Sequence, residues 1–310
     1  MSVTTEIRKK TRIEIDSRTL NSLSRVLILI VLSLGMSLFS PLFLTSRNIV
    51  NILTTAAVPT ILAIAQTIVI LTANIDLSIG NIFAISGVTA AAMLKFGNAP
   101  VPLAMLAGFS MGAFLGLING LLVAVIKLPP FIATYGLSFT AYGLAIGILK
   151  GSVVYGFPAA FRFIGNGKLY GIPMPIILAG VVVLLVGFLL TRTTFGRRVF
   201  ALGANAEAAR MSGINTTGVL ITVYILSGLI AAFAGMIQIA RINASDVDLG
   251  GTLLQPAIAA VVIGGTSMFG GEGGVGGTVI GALTMTVIQN AFSLMGVPTL
   301  WQQFILGLFI

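Results

Sequence analysis

Apolar residues run along this chain in long unbroken stretches, separated by short segments that carry charge, glycine or proline. An α-helix needs roughly 20 residues to cross a bilayer, and ten stretches are candidates by that measure. They cover residues 26–44, 56–73, 80–94, 103–126, 131–149, 174–190, 218–240, 254–269 and 276–296, with an incomplete one from about 302. Those at 80–94 and 254–269 are short or glycine-rich, and each reads either as a crossing or as half of a broken helix. The pattern predicts an all-α, polytopic transmembrane helix bundle of eight to ten spans. A polar leader, 1–25, precedes a single membrane domain, 26–310.

Composition agrees with this class. Of the 310 residues, 57% are hydrophobic and only 8% charged, with a mean hydropathy of +1.09. A soluble domain cannot cover its surface with so few charges. The leader holds Arg8, Lys9, Lys10, Arg12, Arg18 and Arg25, together with Glu6, Glu14 and Asp16. Its acids, and the span-length run that follows, argue for an uncleaved first span over a signal peptide. The net charge of +9 does not point to nucleic acid, because the basic residues flank apolar spans and are not interleaved with aromatics. With the leader placed inside and sides alternating, Lys127, Arg192, Arg197, Arg198 and Arg210 fall inside with it. Arg47, Lys95, Lys150, Arg162, Lys168 and Arg241 fall outside, so the excess of basic residues predicts a cytoplasmic N-terminus.

Two patterns lie within the spans. Gly108, Gly112, Gly116 and Gly120 recur along one face of the fourth, a spacing that permits close helix contact. Asp76-Leu-Ser-Ile-Gly80 and Glu272-Gly-Gly-Val-Gly276 each place an acid before an aliphatic-glycine pair and an apolar helix. Pro100 and Pro298 follow at similar distances, which suggests a duplicated half, although glycine-rich apolar sequence also produces such matches by chance.

Little chemistry is available. The chain has no histidine and no cysteine, so no disulfide, thiol nucleophile, histidine-containing triad or soft metal site can be built. Asp246 and Asp248, the close acidic pair beyond the leader, sit in a predicted outside loop. Gly165-Asn166-Gly167-Lys168 imitates the end of a phosphate loop but has Arg162 and Leu169 where glycine and Ser or Thr are required, and reads as a loop outside the membrane. Every charged residue falls in a loop or at a span end, which favours an external motor over ion coupling. Between Thr191 and Thr217 lies the one sizeable inside connection. Asn205 can cap a short helix there that runs through Ser212, with Glu207 near its positive end and Gly213 closing it; on local features an ordinary linker is an equal alternative.

The segment Ala201-Leu-Gly-Ala-Asn-Ala-Glu-Ala-Ala-Arg-Met-Ser-Gly-Ile214 resembles the coupling loop of ribose-type ABC transporter permeases, within the branched-chain amino acid and sugar permease family. Thr67 to Gly80 and Ala257 to Ser267 resemble further segments of that family in the same order, and the similarity runs from about Asn48 to the end. The resemblance implies a type II importer fold of about ten helices and a bacterial inner-membrane homodimer. It also implies a cytoplasmic ATPase subunit that carries ATP and Mg, with no cofactor in this chain, and a periplasmic sugar-binding protein. Ala204, Asn205, Glu207, Arg210, Gly213 and Ile214 would then form the helix that docks on the ATPase.

A monosaccharide path asks for a few polar side chains in an apolar wall, and Gln66, Asn74, Asn119, Gln289 and Asn290 are candidates. Each could instead bridge neighbouring helices. Asp76 is a further candidate, or a helix cap. Family members continue past Ile310, so an incomplete last span is expected. The competing readings are an ion-coupled secondary carrier and a non-transporting scaffold that recruits a partner through the 191–217 loop.

Overall fold

The computed structural model describes residues 17–309 and is helical almost throughout. In chain order the elements are α1 (Ser17–Phe39), α2 (Ser46–Ile70), α3 (Ile79–Lys95), α4 (Val101–Ala124), α5 (Pro130–Leu149), β1 (Val154–Tyr155) and α6 (Ala159–Asn166). They continue with β2 (Lys168–Leu169), β3 (Ile172–Pro173), α7 (Met174–Arg192), α8 (Thr194–Ala204), α9 (Ala206–Met211) and α10 (Thr216–Ile242). Last come β4 (Ala244–Ser245), α11 (Gly251–Ile263), α12 (Val275–Leu294) and α13 (Thr299–Phe309).

Each of the ten apolar stretches contains a helix. Among the described residues, six helices, α2, α4, α5, α7, α10 and α12, are long and apolar enough to cross a membrane, and the apolar segments 24–39, 79–95 and 247–263 are shorter. The chain is thus a polytopic helix bundle. Arg8, Lys9, Lys10 and Arg12 of the leader lie outside the described residues, and α1 already begins within the leader, at Ser17. Gly165 and Asn166 are not loop residues: they end α6, and Lys168 opens the β2–β3 hairpin.

Helix starts follow local chemistry. Proline stands in the first turn of α4, α5 and α7, where its missing N–H has no intrahelical partner to lose. In α2 the membrane-length window is 78% buried, against 28% in α4 and in α7, so α2 runs through the core. Phe114, Leu184, Leu185 and Phe188 on the outer helices are exposed, as lipid-facing positions would be. The glycine stripe of α4 is filled by α10: Gly112 meets the Gly228 carbonyl, Gly116 that of Tyr224, and Gly120 the backbone of Ile221.

Backbone contacts sort the connections into two faces. On one, the Gly271 N–H donates to the Leu71 carbonyl (3.0 Å), Gly203 of α8 packs on that same carbonyl, and Arg25 Nη1 donates to the Gly264 carbonyl (2.6 Å). The start of α1, the end of α2, the α11–α12 connection and α8–α9 therefore share this face, labelled the coupling face after the loop that the resemblance assigns there. On the opposite face Lys95 Nζ donates to the Gly156 carbonyl, Gly156 N–H to that of Asn243, and β1 pairs with β4.

The bundle is duplicated, but not in the register that Glu272 suggested. A shift of 170 residues carries the cap Thr45, whose side chain accepts from Asn48 N–H, onto Asn215, which accepts from Gly218 N–H. It carries left-handed Ala73 (φ 58°) onto left-handed Asn243 (φ 53°), and Asp76-Leu-Ser-Ile-Gly80 onto Asp246-Val-Asp-Leu-Gly250. Both aspartates accept from the N–H two residues on, Ser78 (2.8 Å) and Asp248 (3.1 Å). In space, α4 packs on α10 as α12 packs on α2, while α3 packs on α10 as α11 packs on α2. Glu272 is instead exposed in the coupling-face connection before α12. The two halves are inverted: α2 runs toward the coupling face and α10 away from it.

Candidate functional site: a capped surface segment, an amide-lined cleft and a buried aspartate

The coupling-face segment is built by its caps. Thr193 accepts from Gly196 N–H (3.3 Å) to start α8, a helix the sequence reading did not anticipate. Asn205 Oδ1 accepts from Ala208 N–H (2.9 Å) to start α9. At its end the Gly213 N–H donates to the Arg210 carbonyl and the Ile214 N–H to that of Ala209, a Schellman motif that needs the left-handed conformation Gly213 takes (φ 81°). Ala209 and Ile214 pack inward. Ala204, Asn205, Glu207, Arg210 and Gly213 stay exposed, beside Met211 at 83% exposure. Gly203 permits the close seating of this unit, since a methyl group there would collide with the Leu71 carbonyl and with Gly271 N. The exposed side of α9 is thus a fixed surface tied to the end of the central helix.

A second feature is a cleft of about 370 Å³ between α2, α12 and α13. Its polar wall is Asn51 and Thr55 from α2, and Thr286, Gln289, Asn290 and Ser293 from α12, with Gln302 from α13. A neighbouring cleft of about 330 Å³ shares Gln289 and adds Thr252 and Gln255 from α11. Arg241 Nη2 donates to Thr55 Oγ1 (3.0 Å), which holds a cation beside the first cleft. Amides and hydroxyls set between apolar helices offer both donors and acceptors, the chemistry a polyol requires.

The predicted residues divide among three places. Gln289 and Asn290 line the cleft, although Asn290 also exchanges two amide hydrogen bonds with Asn48 (2.9 and 3.0 Å). Asp76 and Asn119 come together away from it. Asp76 Oδ1 accepts from Ser78 N–H and Ser78 Oγ–H (2.5 Å), and Asn119 Nδ2 donates to Ser78 Oγ (2.7 Å). Asp76, Ser78 and Asn119 are fully buried, so the aspartate sits in a connection, as expected, but inside the bundle. Asn74 makes a local turn to Thr72, and Gln66 is fully buried with neither amide atom hydrogen-bonded to protein. Sequence reasoning missed Asn51, Thr55, Thr286, Ser293 and Gln302. Their signal was present: Asn48, Asn51 and Thr55, and likewise Thr286, Gln289, Asn290 and Ser293, form polar stripes at helical spacing. Among the described residues no three His, Cys, Asp or Glu side chains cluster as a metal site would.

Residues 48–310 match a family model described as the permease component of the branched-chain amino acid transport system. The chain belongs to this family. It is a multi-pass membrane transport component and not an enzyme. The family's curated relatives include the ribose import permease protein RbsC of Escherichia coli K12, 39% identical over 282 residues, which are 89% of this chain and 87% of that one. RbsC of Bacillus subtilis is 38% identical over 301 residues, covering 96% and 93%. The xylose transport system permease protein XylH of E. coli K12 is 33% identical, covering 86% and 83%. No solved structure matches the chain.

Proposed function

We propose that this chain is the membrane-spanning permease of an ATP-driven importer that moves a monosaccharide, ribose or a related pentose or hexose, by alternating access. The observation that carries the reading is the similarity over most of the chain to permeases named for ribose, allose, galactose and xylose. In this reading the coupling face lies in the cytoplasm, the N-terminus with it, and about ten helices per copy are embedded in the bacterial inner membrane. The exposed side of α9, with Glu207 and Arg210, docks on a cytoplasmic ATPase that holds ATP and Mg. A second copy of the chain completes the path, and a periplasmic binding protein delivers the sugar. The amide-lined cleft around Gln289 supplies hydroxyl partners along the way.

Proteoliposomes that contain the chain, its ATPase and its binding protein test this. ATP enclosed on the coupling side should drive uptake of radiolabelled ribose or another monosaccharide. The buried Asp76 carboxylate favours a second reading, ion-coupled transport, because intramembrane acids serve such carriers. Uptake that follows a proton or sodium gradient and ignores ATP selects that reading and overturns the first.

A further inference from the structure

Residues 73–80 and 243–250 are equivalent under the 170-residue shift, yet they are found in opposite states. Each leaves one face after a left-handed residue, Ala73 or Asn243, and runs inward to the start of a short helix, α3 or α11. They meet at Gly80 and Gly250, where a methyl group on either glycine would collide with the other's carbonyl oxygen. The first turn is shut. Asp76 and Ser78 are fully buried, Leu77 N–H donates to Thr134 Oγ1 (3.1 Å), and Asn81 Nδ2 donates to Ser138 Oγ (2.8 Å). The second turn is open: Asp246 is half-buried, and Asp248 is exposed and held through the Tyr142 hydroxyl (2.8 Å).

We propose that these two turns are paired gates, one at each end of the path, which exchange states so that the coupling-face turn opens as the opposite turn closes. Three observations carry it. The same motif supports both states within one chain, so neither demands a new fold. The crossing sets the Gly80 and Gly250 backbones against each other, flanked by the Leu254 and Ala84 side chains, so neither glycine can shift far without displacing the other turn. The shut turn also buries Asp76 Oδ2 and Asn119 Oδ1 without a protein hydrogen-bond partner. Two buried acceptors lacking donors penalise closure, and opening relieves them by admitting water or sugar hydroxyls, so the shut state is reversible.

The inference rests on the transport reading, and the test separates the two. The chain has no cysteine, so an introduced one is its single thiol. Ser78→Cys and Asp248→Cys occupy equivalent positions; Leu77→Cys and Val247→Cys, both half-buried in the structure, form a second pair should Ser78→Cys fold poorly. Labelling by a small hydrophilic maleimide is measured on the assembled importer in vesicles, with no nucleotide and with Mg-ATP trapped by vanadate, alongside ATP-driven uptake. Without nucleotide, the 248 thiol should react at least about tenfold faster than the 78 thiol, as exposed and buried sites differ. At one stage of the cycle the ratio should invert, with one rate rising as the other falls. Intact uptake with both rates fixed, or moving together, overturns the paired gates and leaves the transport reading standing. Absence of ATP-driven uptake in the cysteine-free parent overturns the transport reading itself, and this inference with it.

Discussion

Gly112 on α4 and Gly228 on α10 each occupy the space that the other's side chain would need, with each Cα facing the other's carbonyl. The contact lets two membrane helices approach backbone to backbone, where dispersion and Cα–H···O contacts replace the hydrophobic effect. Gly112→Ala should separate the helices and cost about 1–3 kcal/mol, the range for overpacking a filled core. Gly143→Ala on α5, where nothing lies within 4 Å, should be neutral or slightly stabilising. Thermal unfolding in detergent distinguishes the two, and equal shifts would refute the packing account.

At the coupling face, Glu207 lies in the first turn of α9 and is exposed. Glu207→Lys reverses a charge on the proposed docking surface and sets it against the positive end of the helix. ATPase docking should weaken about tenfold or more, as like charges at an interface do, while insertion in the membrane is unchanged. Co-purification of the ATPase and ATP-driven uptake check this. Survival of both would remove α9 from the coupling role.

How far the sequence reveals these features depends on how local their physics is. Asn205, Ser212 and Gly213 announce α9 because a cap and a left-handed stop act within one turn. The apolar stretches announce ten helices because length alone sets them. The partner of Asp76 was misread as Glu272 because glycine-rich segments look alike, whereas the correct match, Asp246, shares only an aspartate, alternate aliphatic positions and a glycine. It became recognisable through Gly80 meeting Gly250. The cleft stayed hidden for a related reason: Asn51 and Gln289 are more than two hundred positions apart, and a polar stripe on one helix does not show which helix it faces.

Asp76 ties the start of α3 to Asn119 through Ser78. Asp76→Asn preserves an oxygen for the Ser78 N–H and hydroxyl and removes a carboxylate charge from a fully buried site. It should fold with unchanged or higher thermal stability. Asp76→Leu leaves the buried Ser78 donors unpaired, at about 1–3 kcal/mol each. Melting temperatures should therefore rank Asn at or above Asp, with Leu well below. A Leu variant as stable as the parent would show that this aspartate caps nothing that matters.

Gln289 is the residue of α12 that lines both clefts, where its amide is placed to meet a solute in either one. Gln289→Leu, one heavy atom shorter than Gln and matched in shape to Asn, removes one acceptor and two donors. Sugar hydroxyls would then have to shed water against an apolar surface, at about 1–3 kcal/mol for each bond not replaced, which is roughly tenfold or more in rate. ATP-driven uptake should fall accordingly, while ATPase docking on α9, at the coupling face, is retained. Gln289→Asn, which keeps the amide on a shorter stem, should recover part of the loss. If Leu and Asn transport equally well, the hydrogen bonds of this side chain play no part in passage, and the path lies elsewhere in the bundle.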